Sequence, residues 1–253
     1  MLFGECPEIL GPTAPSAAAV LLILLLLFEA ILDILESEGI PFIIHMEGMM
    51  KKGEKLKEYT GKRDFSKTPE PKAGSGKSSK KPIFVIQQHD ASHMHFDFRL
   101  EVGEVLASWA VPKGPSTSPR DKRLAVRTED HPLEYADFEG FIPEGKYGAG
   151  VVIVWDTGEF ENASRKDGQE ISLAKALEEG NVKVRLHGKK LKGGYALIHT
   201  KMRGDEKTWL LVKENDEDAD ARRNPVSTEP KSVLSGKTIE EMKRRMQKGE
   251  RSR

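Results

Sequence analysis

Between Gln87 and Leu100 the chain reads QQHDASHMHFDFRL, a density of histidine and aspartate that invites a chemical reading. From His95 the residues alternate, with His95, Asp97 and Arg99 polar and Phe96, Phe98 and Leu100 apolar. A period of two is the pattern of a β-strand with one face in a core, so the three polar side chains share the other face as an open row. His89 lies just upstream, and a bend through Asp90, Ala91 and Ser92 could return it to that row. Two imidazoles and a carboxylate form a mixed nitrogen and oxygen ligand set that leaves coordination positions for water or substrate. The adjacent Arg99 adds a planar fork suited to phosphate or carboxylate. Together they point to metal-assisted chemistry on a phosphate ester. A His-x-His pair also suits a plain solvated strand face, but four of the seven histidines fall between positions 89 and 131, which a solvated face does not explain.

The elements that must position this row are short strands. Ile83 to Gln87 is a β-branched and aromatic run leading into the histidines, and Val105 to Val111 answers it across a turn at Glu101 to Glu104 as a candidate hairpin. Pro112 to Pro115 then breaks the strand and sets Lys113 on a rigid turn. Arg120 to Thr128 brings Arg120, Lys122, Arg123 and Arg127, with Leu124 and Val126 expected in the core. Glu129 to Tyr135 is dense in acid-base groups, and His131 is held extended by Pro132. Phe138 to Tyr147 reads as a loop whose neighbouring glycines serve turns. Val151 to Trp155, Val182 to Leu186, Tyr195 to His199 and Thr208 to Val212 read as further strands, with His187 and His199 at strand ends on the surface. Ile171 to Gly180 is the one helical pattern of the body, and Ile239 to Arg253 reads as a fraying basic helix in a solvated tail. Short strands with glycine turns argue for a mainly β fold, a barrel or sandwich.

Composition divides the chain. Residues 1 to 50 contain no Lys or Arg and seven acids, so the 40 basic and 40 acidic side chains of the whole leave 40 against 33 in residues 51 to 253. A basic body suits a polyanionic partner such as nucleic acid. The lone Cys6 leaves that body without disulfides or cysteine ligands, as in a reducing cytoplasm. Ala17 to Phe28 is continuously apolar, yet no basic residue precedes it as a secretory signal would require, and Pro12 and Pro15 shorten it below a membrane span. Residues 1–48 are therefore expected to be an acidic and apolar head outside the mature protein, with translation starting at Met46, Met49 or Met50. Residues 49–82 read as a basic flexible arm, 83–216 as the barrel and 217–253 as a polar and basic tail.

Several long stretches in order, QHDASHMHFDFRLE, SWAVPKGPS, KRLAVRTEDHPLEYADFEGFIPEGKYGAG, VWDTGEFE, LHGKKLKGGYALI and WLLVKEND, together with RDF and TPEP in the arm, resemble the 3'-phosphoesterase module of DNA ligase D. The likeness runs from about Arg63 to Asp216. It implies a single β-barrel with an apolar interior, one or two short helices and an active site on the outer concave face. It also implies a manganese-dependent enzyme that removes a 3'-terminal ribonucleoside and then the 3'-phosphate, leaving a 3'-hydroxyl for repair by end joining. Under that resemblance His89, His95 and Asp97 bind the metal. Arg99, Arg123, His131 and Lys113 surround the phosphate, supported by Gln87 and Tyr135, while Arg63, Asp64 and Glu70 serve ribonucleoside removal. The sequence departs from the family at Gln88, where Lys is frequent, and at Phe96, where Tyr is common. Arg165-Lys166-Asp167-Gly168 puts Arg where a nucleotidyl-transfer motif has its nucleophilic lysine, so it reads as a turn, and ligase and polymerase partners are expected as separate chains. The rival readings are a non-catalytic end-binding module that recruits a ligase, and an exported metalloprotein anchored by the head.

Overall fold

The computed structural model describes residues 53–74, 81–201 and 205–247, so the head at 1–48, its proposed start sites and the centre of the Gly/Ser/Lys linker lie outside the described residues. Twelve strands follow in chain order: β1 (Ile83–Asp90), β2 (Met94–Val102), β3 (Val105–Val111), β4 (Lys122–Arg127), β5 (His131–Pro132), β6 (Gly140–Ile142), β7 (Gly150–Asn162), β8 (Arg165–Lys166), β9 (Gln169–Glu170), β10 (Asn181–Gly188), β11 (Lys192–His199) and β12 (Thr208–Lys213). The helices are α1 (Lys57–Gly61), α2 (Leu173–Glu179), α3 (Pro225–Thr228) and α4 (Ile239–Gln247), with a 3-10 turn at Leu133–Asp137. None of the described helices is long and apolar enough to cross a membrane.

Strands β1, β2, β3, β4, β12, β11, β10 and β7 pair antiparallel in that order, and β7 pairs back onto β1 to close an eight-stranded barrel. Closure removes the unpaired edges that an open sheet would expose. Phe84, Ile86, Phe98, Leu100, Trp109, Trp155, Tyr195 and Leu211 fill the interior. A register shift in β7, where Ile86 faces Asp156 and Gln87 faces Val154, accommodates the extra residue Trp155 and bends the strand. At α2 the expected helix is present, with the Ser172 hydroxyl accepting the Lys175 N–H and Gly180 in the left-handed conformation that ends it. Its Leu173, Ala176 and Leu177 pack on the interior cluster, as does Val226 of α3. The segment 165–168 is the tip of a small hairpin, β8 and β9, with Asp167 and Gly168 both at positive φ.

Three expectations are corrected. In β4 the core residue is Ala125, fully buried, while Leu124 is 46% exposed. The register places Ala125 opposite Trp209, whose ring lies 5.6 Å from that of Trp109, so two indoles take the space and a small residue suffices. The C-terminal segment is not a solvated tail: Ile239 is buried against Val151 and Ile153, Trp155 Nε1 donates to the Glu229 carbonyl, and Lys190 Nζ donates to the carbonyls of Glu229 and Lys231. Apolar residues at 239 and 242, three apart, give α4 the seating face. His199, expected on the surface, is partly buried with its ring 5.2 Å from that of Trp209.

Outside the barrel lies a second apolar layer. Val85, Leu106, Val152 and Val154 project outward and are covered by Tyr135, Phe138, Leu56 and Tyr59. Residues 53–74 therefore lie on the barrel wall, with Leu56 and Tyr59 essentially inaccessible and the Tyr59 hydroxyl donating to the Pro71 carbonyl at 2.6 Å.

Candidate active site

The hairpin of β1 and β2 pairs His89 with His95, Gln87 with Asp97 and Val85 with Arg99, which sets His89 beside the row as the bend predicted. The row is not open to solvent, however. Asp97 and Arg99 are 7% and 3% exposed because the arm and the outer apolar layer cover them. Alternation separates the two faces of a strand, and says nothing of what is later laid over the polar one.

One ligand atom from each of His89, His95 and Asp97 lies within 4.8 Å of the others, the one such group of three among the described residues. His89 Nδ1 is 3.5 Å from Asp97 Oδ2, and His95 Nε2 is 3.7 Å from Asp97 Oδ1. The opposite ring nitrogens are spoken for: His89 Nε2 donates to the Gly148 carbonyl and His95 Nδ1 to the His93 carbonyl, both at 2.9 Å. Those carbonyls engage the far nitrogen of each ring, so His89 Nδ1 and His95 Nε2 are the atoms that face the carboxylate. Burial by itself would raise the Asp97 pKa, but Arg99, with the two imidazoles adding to it, holds the carboxyl well below the usual range. Two imidazole nitrogens and a permanent carboxylate are a donor set that fits a divalent cation.

Arg99 is fixed on every side. Its Nη2 donates to Asp97 Oδ2 at 3.1 Å, Nε to Gln87 Oε1 at 2.8 Å and Nη1 to Ser108 Oγ at 2.8 Å. Gln87 is anchored in turn by donating to the carbonyls of Tyr135 and Phe138. Behind Arg99 lies His131, buried, with Nδ1 2.9 Å from Arg99 Nη1 and 2.9 Å from the Glu129 carbonyl, and Nε2 3.4 Å from Arg63 Nη2. Burial, then the two guanidiniums, push the His131 pKa well below the ordinary histidine value, so the ring is neutral. Tyr135 lies 4.7 Å from it, ring to ring, and burial followed by the Glu70 carboxylate raises the phenol far above its usual range.

The arm brings its own charges. Arg63 Nε donates to Glu70 Oε1 at 2.8 Å and Nη1 to Glu129 Oε1 at 3.2 Å, and the Tyr135 hydroxyl donates to Glu70 Oε1 at 3.1 Å. Lys62 reaches Glu129 Oε2 at 3.1 Å. Glu129, Ser108, Tyr59 and Lys62 are thus parts of the site that motif reading did not assign. For Glu129 and Ser108 a signal existed, since Glu129 stands two residues before His131 and Ser108 is directly opposite Arg99.

Three expected residues are not joined to this network. The Asp64 carboxylate is exposed and engaged within its own turn, its pKa held down to about 2 by Ser66 and then Lys67. Arg123 lies on the Ala125 side of β4 and donates to Asp121 at 2.9 Å. Lys113 is exposed on the turn after β3, past the Val111 position that pairs with Phe96, which puts it at the His95 end of the site.

A closed barrel that carries a two-histidine, one-carboxylate set on its outer wall, with a buried arginine bonded to that carboxylate, defines a β-barrel domain with a candidate metal-ligand set. Residues 87–199 match the sequence family described as the DNA Ligase D 3'-phosphoesterase domain. It is 47% identical over 197 residues to the multifunctional non-homologous end joining protein LigD of Pseudomonas aeruginosa, covering 75% of this chain and 22% of that protein. Against the protein of the same name from Mycolicibacterium smegmatis it is 40% identical over 191 residues, 75% of this chain and 24% of the relative. The multifunctional non-homologous end joining DNA repair protein LigD of Mycobacterium tuberculosis is 47% identical over 161 residues, 62% of this chain and 19% of the relative. The chain thus spans only about a fifth to a quarter of the length of these relatives.

Proposed function

We propose that this chain is a manganese-dependent phosphoesterase that heals 3' ends in DNA repair, first removing a 3'-terminal ribonucleoside and then the 3'-phosphate to leave a 3'-hydroxyl. The observation that carries the reading is the convergence of His89, His95 and Asp97 beside Arg99. The three ligand residues would hold the cation, which when bound polarises a phosphate oxygen and lowers the pKa of water.

The chain's own groups do the rest. Arg99, held rigid by Asp97, Gln87 and Ser108, offers a fixed positive charge where phosphate charge grows, and needs no rearrangement to do so. Lys113 approaches that phosphate from the turn in this reading, whereas Arg123 stands on the inward side of β4 beside Ala125 and is left out of it. His131 is neutral between two guanidiniums in the free protein. A phosphate arriving beside Arg99 offsets its charge and raises the ring's proton affinity, which suits it to hand a proton toward the leaving oxygen. Tyr135 and Gln87 keep Arg99 and His131 in register. Arg63, Glu70 and Asp64 act on the departing nucleoside, with Arg63 and Glu70 already paired at 2.8 Å. The substrates are DNA or RNA-tipped 3' ends of primer-templates, and the healed end passes to ligase and polymerase chains.

The deciding experiment incubates the full chain with a 3'-phosphate primer-template, with and without manganese, and measures inorganic phosphate. Manganese-dependent release supports the reading. Tight binding with no release selects a non-catalytic end-binding module in its place.

A further inference from the structure

The loop from Pro143 to Ala149 is tied at two neighbouring residues. The Gly148 carbonyl accepts from the metal-ligand candidate His89, and the hydroxyl of Tyr147 donates to Glu129 Oε2 at 3.3 Å while accepting from Lys62 Nζ at 3.3 Å. One dipeptide therefore joins the metal-ligand set to the charged cluster of the arm. Gly148 has φ +73, a left-handed conformation that favours glycine, and a Cβ placed on it would lie 3.7 Å from His89 Cε1, so the loop passes against the imidazole.

Tyr147 differs from the other aromatic residues here. Tyr59 and Tyr135 are buried, whereas Tyr147 is 48% exposed and is the one exposed aromatic side chain among the described residues. Lys62 Nζ lies 4.5 Å from its ring centroid and Arg63 Cζ 5.5 Å. A ring that is flanked by cations, steadied through its hydroxyl and open over half its surface is built as a platform for another flat group. Nucleobases stack on such rings whatever their identity, since every base offers a π-face.

We propose that Tyr147 stacks on the base of the 3'-terminal nucleoside, and so sets the preference for nucleoside-bearing ends. The inference rests on the phosphoesterase reading for its substrate: a phosphate at His89, His95 and Asp97 leaves its terminal nucleoside to run toward Arg63 and Glu129, and Tyr147 stands between the two.

The test uses the full chain as wild type, Tyr147→Ala and Tyr147→Phe, with primer-templates ending in a ribonucleoside or in the same ribose without its base. Stacking predicts that Tyr147→Ala raises KM for the base-bearing end roughly tenfold more than for the abasic end, the size of one lost base-aromatic stack. Tyr147→Phe should keep the wild-type preference. An equal effect of Tyr147→Ala on both ends, or failure of Tyr147→Phe to retain the preference, would overturn the stacking role and leave only the hydroxyl's part in holding the loop. The same pair of ends is compared by fluorescence anisotropy with metal-free protein, which needs no turnover. Base preference in binding, lost in Tyr147→Ala, with no product formed by any chain would sustain the stacking and count against the phosphoesterase reading alone.

Discussion

Asp97 carries the electrostatics of the centre, because it is the one carboxylate shared by Arg99, His89 and His95. Replacing it by Asn keeps the volume and removes the charge. Arg99 is then a buried guanidinium without its counter-ion, and such breakage costs on the order of 3 kcal/mol. Asp97→Asn should therefore lower the urea midpoint and also abolish manganese binding in a titration. Intact binding would mean that the carboxylate is no ligand. His131 gives the pH dependence. Its proton affinity is lower folded than unfolded, so its contribution to stability is complete above the ordinary histidine pKa of about 6.5 and shrinks as pH falls below that value. Metal-free wild type should lose more stability than His131→Gln between about pH 7.5 and about pH 5.5. Equal losses would assign the proton uptake elsewhere.

At the scale of elements, the arm and β4 make separable predictions. Arg63 and Glu70 lie in the segment that covers the site, whereas the metal-ligand set lies on the β1 and β2 hairpin. Arg63→Ala or Glu70→Ala should reduce ribonucleoside removal at least tenfold more than phosphate release, and identical losses in the two steps would remove the arm from substrate recognition. In β4, Leu124→Ser at an exposed position should shift stability by less than about 0.5 kcal/mol. Ala125→Leu, forced between Trp109 and Trp209, should cost roughly 1–3 kcal/mol. Thermal unfolding of the two variants checks the strand's orientation. The arrangement that misled sequence reading here is local: Leu124 and Val126 alternate like core residues, but their neighbours Arg123 and Arg127 are long enough to flank a small inward residue and extend toward the barrel ends, with Arg127 4.9 Å from the Trp109 ring.

For the molecule as a whole, metal and fold should be linked. A cation that binds the folded chain at about 100 times its Kd adds roughly 2.7 kcal/mol to stability. Manganese should raise the melting temperature of the wild type, and His95→Ala should be indifferent to it. The sequence by itself determined the alternation that parts Phe96 and Phe98 from Asp97 and Arg99 and the cap and stop of α2, because these depend on residue types a few positions apart. Only the tertiary structure decided that His131 is covered by Tyr59 and Arg63, that Glu129 closes the cluster around Arg63, that Arg123 falls on the Ala125 side of its strand and that α4 is seated on β7. Each of these depends on which surfaces meet once the barrel closes, and contacts between residues 60 or more positions apart leave no period in the chain to read.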